Sequence, residues 1–160
     1  MPDVTIRRAV SAADLEAAFA VRRQVFVLEQ GVPEDVEIDE LDRDPQTVHV
    51  LVHDARHAAL GAARLRPCRS GGAAKIQRVA VLAMHRKTGL GRALMEFLER
   101  AAAEGECGEA VLDAQIQAQA FYERLGYEAH GERFVEAGID HIAMRKRLTS
   151  GDAPSAVSAP

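Results

Sequence analysis

The chain predicts a mixed α/β fold, one β-sheet flanked by helices. Three observations carry that expectation. Short runs of branched and other apolar residues recur between turn signals, as strands do. Three longer stretches repeat apolar residues at helical spacing. The elements run strand, helix, three strands, helix, strand, helix, two strands, and the middle part (75–83, 88–104, 110–114) has the form of a right-handed crossover between parallel strands.

Each element has its own justification. "DVTIRRAV" opens as a short strand. In "SAADLEAAFAVRRQVFVLEQG", Leu15, Phe19, Arg22 and Phe26 recur at helical spacing, Ser11 or Asp14 suits the N-cap, and Gly31 ends the helix. "PEDVEIDELDRD", residues 33–44, sets seven acids against one arginine and reads as a loop or loosely structured segment. Attraction of a cationic amine and simple solvation are its two readings. Residues 47–54 and 59–67 are strand-like, "RSGG" is a turn, and "KIQRVAVLA" (75–83) is a central strand. In the helix 88–104, Leu90, Leu94, Phe97, Leu98 and Ala101 share one face. "AVLDA" (110–114) is another buried strand. "QIQAQAFYERLG" is a short helix with Ala118, Phe121, Tyr122 and Leu125 on one side and Gly126 at its C-terminal end. Two last strands flank "EAG".

Composition bounds the function. The 160 residues suit one domain over 1–148, with a small, polar tail at 149–160 that is expected to be disordered. A net charge of −4 and the lack of a basic stripe argue against nucleic acid as a partner. The N-terminus has no signal-peptide core, and no apolar run reaches the roughly 18 residues of a membrane span, so a soluble cytoplasmic protein is expected. Cys68 and Cys107 are too few for a disulfide framework and lack metal-type spacing, which favours a reducing compartment. His49, His53 and His57 lie four apart, but in a strand and turn their side chains do not converge. The acidic run lacks the spacing of a calcium loop. No metal is expected.

"HRKTGLGRALM" (85–95) raises the chemistry. Two glycines weaken a helix start, yet they let a ligand approach the backbone closely. The first N–H groups of a helix lack internal partners and, with the macrodipole, suit an anion such as phosphate. Arg86, Lys87 and Arg92 add positive charge. A tight turn with solvated basic residues is the alternative. The ending of a nucleotide P-loop and the third glycine of a dinucleotide fingerprint are both missing.

This stretch resembles the acetyl-CoA signature of the GNAT acetyltransferases: an Arg or Gln, two residues, Gly, one residue, then Gly or Ala. Arg86, Gly89 and Gly91 match it. Downstream, Ala118, Phe121, Tyr122, Gly126 and Tyr127 resemble a second family segment, with Gln115 where Asn is usual. "VFVLEQGVPEDVEIDELD", "LDAQ" and "GIDHIAM" are similar to a bacterial subgroup of the family, mostly uncharacterised, so that the resemblance covers about residues 4–148.

The resemblance implies a seven-stranded sheet, splayed between its fourth and fifth strands, that binds acetyl-CoA. It gives the coenzyme set as Val79, Ala80, Val81, Arg86, Lys87, Thr88, Gly89, Leu90, Gly91, Arg92 and Gln115. Backbone N–H groups of 86–91 would hold the pyrophosphate, and strand 78–82 would pair with the pantetheine arm. A bulge there would free an N–H to polarise the thioester carbonyl. A primary amine, of a small molecule or a protein, would attack the thioester directly, with Tyr122 protonating the departing sulfur. Core packing is the other role open to Tyr122. For the base, Glu29, Glu37, Asp39, Glu40 and His141 are candidates, and a water relay is the alternative. Alternation places His141 either toward a cleft or as a packed histidine bonded to backbone. A homodimer fits the family's habit of pairing. The competing function is a coenzyme-binding sensor or interaction module of the same fold without turnover.

Overall fold

The structure is a computed structural model that describes residues 3–148. The expected tail, 149–160, lies outside them. Seven strands form one sheet in the order β1-β2-β3-β4-β5-β7-β6. They are β1 (Val4–Arg8), β2 (Val48–Asp54), β3 (Ala59–Arg66), β4 (Ala73–Val81), β5 (Glu109–Gln115), β6 (Glu128–Glu136) and β7 (Ile139–Arg147). The helices are α1 (Ala12–Arg22), α2 (Glu34–Glu37), α3 (Leu90–Glu104) and α4 (Gln119–Arg124). The described chain falls into two compact units. One takes in the chain up to Arg66 with Gln77–Phe97, the other Pro67–Ile76 with the chain from Leu98 onward.

In the first unit β2 pairs antiparallel with β1 and with β3. The Ser11 hydroxyl caps α1 by accepting from the Asp14 N–H at 3.1 Å. Ala18, Val21 and Val25 are buried with Leu51, Ala62 and Ala80, and Leu15 and Phe26 pack against them. The helix widens into a π-helical stretch, Arg23–Glu29, that sequence periodicity does not reveal. Gly31, at φ +77°, ends it.

Residues 33–44 are a correction. They are not a loose loop, since α2 and a 3₁₀ turn (Glu40–Arg43) order them, while Glu34, Asp35 and Glu40 stay exposed. Asp39 caps that turn in a capping box with Asp42. Glu37 and Asp42 are buried, and three arginines from elsewhere in the chain pair with them and with Asp39. Arg22 donates to Glu37 at 2.9 Å and to both Asp42 oxygens at 2.8 and 3.0 Å. Arg64 bridges Asp39 and Asp42 at 2.7 and 2.9 Å, and Arg78 reaches Glu37 and Asp39 at 3.2 Å each. A charge leaves water only when it is paired, and these acids were unreadable because their partners are remote in sequence.

In the second unit the start of β4 runs parallel to β5, Ala73–Lys75 beside Glu109–Val111, as a crossover requires. β7 pairs antiparallel with both β5 and β6. The β6–β7 hairpin turns on Ala137 and Gly138, at φ +53° and +77°, a two-residue loop that suits the strand twist. The Tyr127 hydroxyl donates to Glu99 at 2.8 Å, and Lys146 donates to the other oxygen of that carboxylate at 2.9 Å.

A second correction concerns the cysteines. Cys68 and Cys107 form a disulfide with Cα atoms 5.6 Å apart. They are 39 residues apart, and the turn after β3 and the end of α3 bring them together. Their number and spacing in the sequence did not disclose a pair, and the reducing compartment inferred from them loses its basis. No helix among the described residues is long and apolar enough to cross a membrane.

Candidate active site

The coenzyme set begins on β4. Ala80 is buried and Val79 and Val81 are half-buried, which fits a strand whose backbone rather than side chains meets a ligand. Just before them Arg78 has φ +61° inside the strand. A left-handed residue in an extended strand is the mark of a bulge.

After Val81 a short 3₁₀ turn, Ala83–His85, leads into Arg86–Gly89. The Arg86 Nε donates back to the Val81 carbonyl at 2.8 Å, and its Nη2 donates to Glu29 at 2.9 Å. The Thr88 hydroxyl donates to the His85 carbonyl at 2.7 Å. Lys87 and Gly89 lie at φ +64° and +87°, so α3 starts at Leu90 and not at 88. The first helical bond runs from the Ala93 N–H to the Gly89 carbonyl. The N–H groups of Leu90, Gly91 and Arg92 precede it and have no acceptor within the helix. Leu90 is buried, and Leu94, Met95 and Leu98 are fully so, which anchors this helix start. A Cβ built on Gly89 meets nothing within 4 Å. The backbone there faces open space at the positive end of a 15-residue helix. These residues fit a diphosphate. Arg92 is exposed and pairs with Glu96 one turn on.

The other predicted residues belong to the second unit. Gln115 ends β5 directly opposite His141 of β7. Tyr122 lies on α4, edge-on to Phe121 and Tyr127 at 5.0 and 5.9 Å between ring centres. Burial pushes the Tyr122 phenol up to about 12. Gly126, at φ +99°, closes α4, and the Tyr127 N–H donates to the Tyr122 carbonyl at 3.1 Å, which fixes the backbone carrying that phenol. His141 is only 9% exposed. Its Nδ1 meets the Ile139 carbonyl at 2.7 Å, and its ring stacks on Phe134. A carbonyl only accepts, so Nδ1 carries the proton and the neutral ring's Nε2 is its basic nitrogen.

Of the acids offered as bases, Glu29 is paired with Arg86, and Glu37 and Asp39 with the buried arginines. Of the three spaced histidines, the His53 and His57 rings lie 5.1 Å apart, while His49 is held elsewhere. His49 bonds the Asp42 carbonyl, while His53 accepts from Arg7 and bonds the Asp54 carbonyl. Among the described residues no three metal-ligating side chains gather as a metal site would need. Arg22, Arg64 and Arg78 are the residues that sequence reasoning missed. Only Arg22 left a signal, a charge on the apolar face of its helix.

The family model of the acetyltransferase (GNAT) domain matches residues 12–148. The chain belongs to the GNAT acetyltransferase family. It is an acyltransferase, as its relatives' names also indicate. The Bacillus subtilis (strain 168) protein named "Uncharacterized N-acetyltransferase YjcF" is 43% identical over 133 residues, 82% of this chain and 91% of the relative. The crystal structure of an acyl-CoA N-acyltransferase from Pseudomonas aeruginosa is 34% identical with a TM-score of 0.78, over 91% of this chain and 99% of that one. The fold is also that of an aminoglycoside 6′-N-acetyltransferase complexed with coenzyme A, at TM-score 0.72 and 18% identity, over 91% of this chain and 97% of that one.

Proposed function

We propose that the protein transfers the acetyl group of acetyl-CoA to a primary amine of a small molecule or protein, by direct attack of the amine on the thioester. The observation that carries this reading is the open, left-handed Gly89 at the start of α3, with three backbone N–H groups beyond it that have no helical acceptor. The pyrophosphate rests on the backbone of 86–91, with Arg86, Lys87 and Arg92 supplying positive charge and Thr88 shaping the loop. Val79–Val81 offer main-chain groups to the pantetheine arm, and Gln115 contributes at the end of β5. The fold shared with the aminoglycoside 6′-N-acetyltransferase complexed with coenzyme A lends support.

Two protons decide the rate. The amine must reach the thioester neutral, because an ammonium has no lone pair. The departing sulfur gains from a donor, and Tyr122 is assigned that role. Its raised pKa keeps the phenol protonated through neutral pH. A thiol ionises near 8.5, so the phenol is the weaker acid of the two. It therefore works largely by hydrogen bonding to the developing thiolate. His141, through Nε2, is the candidate for the proton taken from the amine.

A second reading, a coenzyme-binding module without turnover, draws on the pairing of Glu29, Glu37 and Asp39 with arginines, which removes three of the proposed bases. Release of free thiol from acetyl-CoA, measured with polyamines, aminoglycosides, amino acids and peptides, separates the two. Turnover with any amine supports the enzyme. Binding of acetyl-CoA without thiol release from any of them leaves the module.

A further inference from the structure

Arg78 breaks the regularity of β4. It carries φ +61° in the middle of the strand, a conformation that a side-chain-bearing residue resists. Such a residue persists where its surroundings over-determine it. Here they do. The guanidinium donates to the Val36 and Glu37 carbonyls at 3.2 and 3.1 Å and reaches the Glu37 and Asp39 carboxylates at 3.2 Å. The receiving segment is itself immobilised. Arg22 holds Glu37 from its other side, and Arg64 holds Asp39. The acid-rich segment is thus the far wall of a clamp whose near end is one backbone torsion of β4.

We propose that Arg78 is a positioning residue for acetyl transfer: the clamp formed by Arg78 with residues 36–39 keeps β4 bulged, so that the peptide N–H after Arg78 faces the thioester carbonyl rather than the neighbouring strand. This rests on the acetyl-CoA reading given above. It adds that the 33–44 segment acts through β4 on the donor half-reaction, instead of attracting a cationic acceptor. Glu37, Asp39 and Asp42 are paired with arginines, and their charge is not free for an amine.

The test separates backbone shape from charge. Arg78→Asn and Arg78→Val both delete the guanidinium, but asparagine accepts a left-handed φ and valine does not. Each variant is titrated with acetyl-CoA by calorimetry. The carbonyl signal of bound acetyl-CoA, labelled with carbon-13 at the thioester carbon, is then read by NMR. A polarised carbonyl moves downfield, with no acceptor amine needed. The wild type is expected to show that shift, Arg78→Asn to lose part of it together with the clamp, and Arg78→Val to lose it fully while still binding the coenzyme. With the best amine of the panel, kcat is expected to fall about tenfold further in Arg78→Val than in Arg78→Asn, the factor that the strain of a left-handed side chain implies. KM for acetyl-CoA should move little. Should the valine variant not fold, Arg78→Ala takes its place. A carbonyl shift and kcat in Arg78→Asn equal to those of the wild type overturn the proposal while leaving the acetyl-CoA reading intact. A wild type that binds no acetyl-CoA overturns both.

Discussion

Arg22 and Asp42 face each other through two hydrogen bonds, at 2.8 and 3.0 Å, with each side chain 1% exposed. Burial alone would raise the Asp42 pKa. The bonds and charge of Arg22, helped by the Asp39 N–H and by Arg64, outweigh it and hold the carboxyl well below the usual range. This contribution to stability is fully present above the unfolded carboxylate pKa of about 3.9, and it is lost as pH falls below that toward the folded value. Removing one partner of a buried pair costs about 3–5 kcal/mol. Asp42→Asn should therefore lower urea stability at pH 7 by that order and flatten the fall in stability below pH 4. Urea titrations of both proteins from pH 3 to 7 measure this.

Gly89→Glu should abolish acetyl-CoA binding and leave the fold in place. The new side chain has room, since a Cβ there meets nothing within 4 Å. Its cost to stability is that of forcing a side chain to φ +87°, about 1–2 kcal/mol. Its carboxylate would stand where the diphosphate is proposed to sit. Calorimetry gives the affinity, and thermal unfolding gives the fold. Undiminished affinity would mean that the anion site is elsewhere.

Tyr122→Phe should lower kcat by about 10²-fold, within the range of a general acid, with a smaller effect on KM for acetyl-CoA. Because burial sets the phenol at about 12, the wild-type rate should show no fall between pH 8 and 10 from loss of this proton. A pH profile of kcat in both proteins checks both halves. An unchanged kcat, with chemistry rate-limiting, would return Tyr122 to core packing.

Reduction of the Cys68–Cys107 bond should destabilise the protein. The loop it closes spans 39 residues, for which the chain-entropy estimate is about 4 kcal/mol. Thermal unfolding with and without reductant, together with Cys107→Ser, measures the loss. Thiol titration of the unreduced, unfolded protein should find no free cysteine.

Local patterns were legible in the sequence, and pairings across distance were not. The hydrophobic face of α3, the Ser11 cap, the Gly126 stop and the hairpin at Ala137–Gly138 are each written within a dozen residues, and each stands where the sequence places it. Gly89 was also readable, because a glycine at a helix start needs a reason. Arg78 was not. It is one polar residue in a strand that also carries Lys75 and Gln77, and a torsion angle leaves no trace in composition. Glu37, Asp39 and Asp42 look solvated until Arg22, Arg64 and Arg78 are known to reach them, and those arginines lie between 15 and 41 residues from Glu37 and Asp42. The same distance problem concealed the disulfide.

The clamp around Glu37 and Asp42 also ties three distant elements to one segment. Seven acids in twelve residues repel one another until arginines from α1, β3 and β4 are all in place. The ordered shape of the segment therefore depends on all three elements together, so that a change made in any one of them bears on the other two.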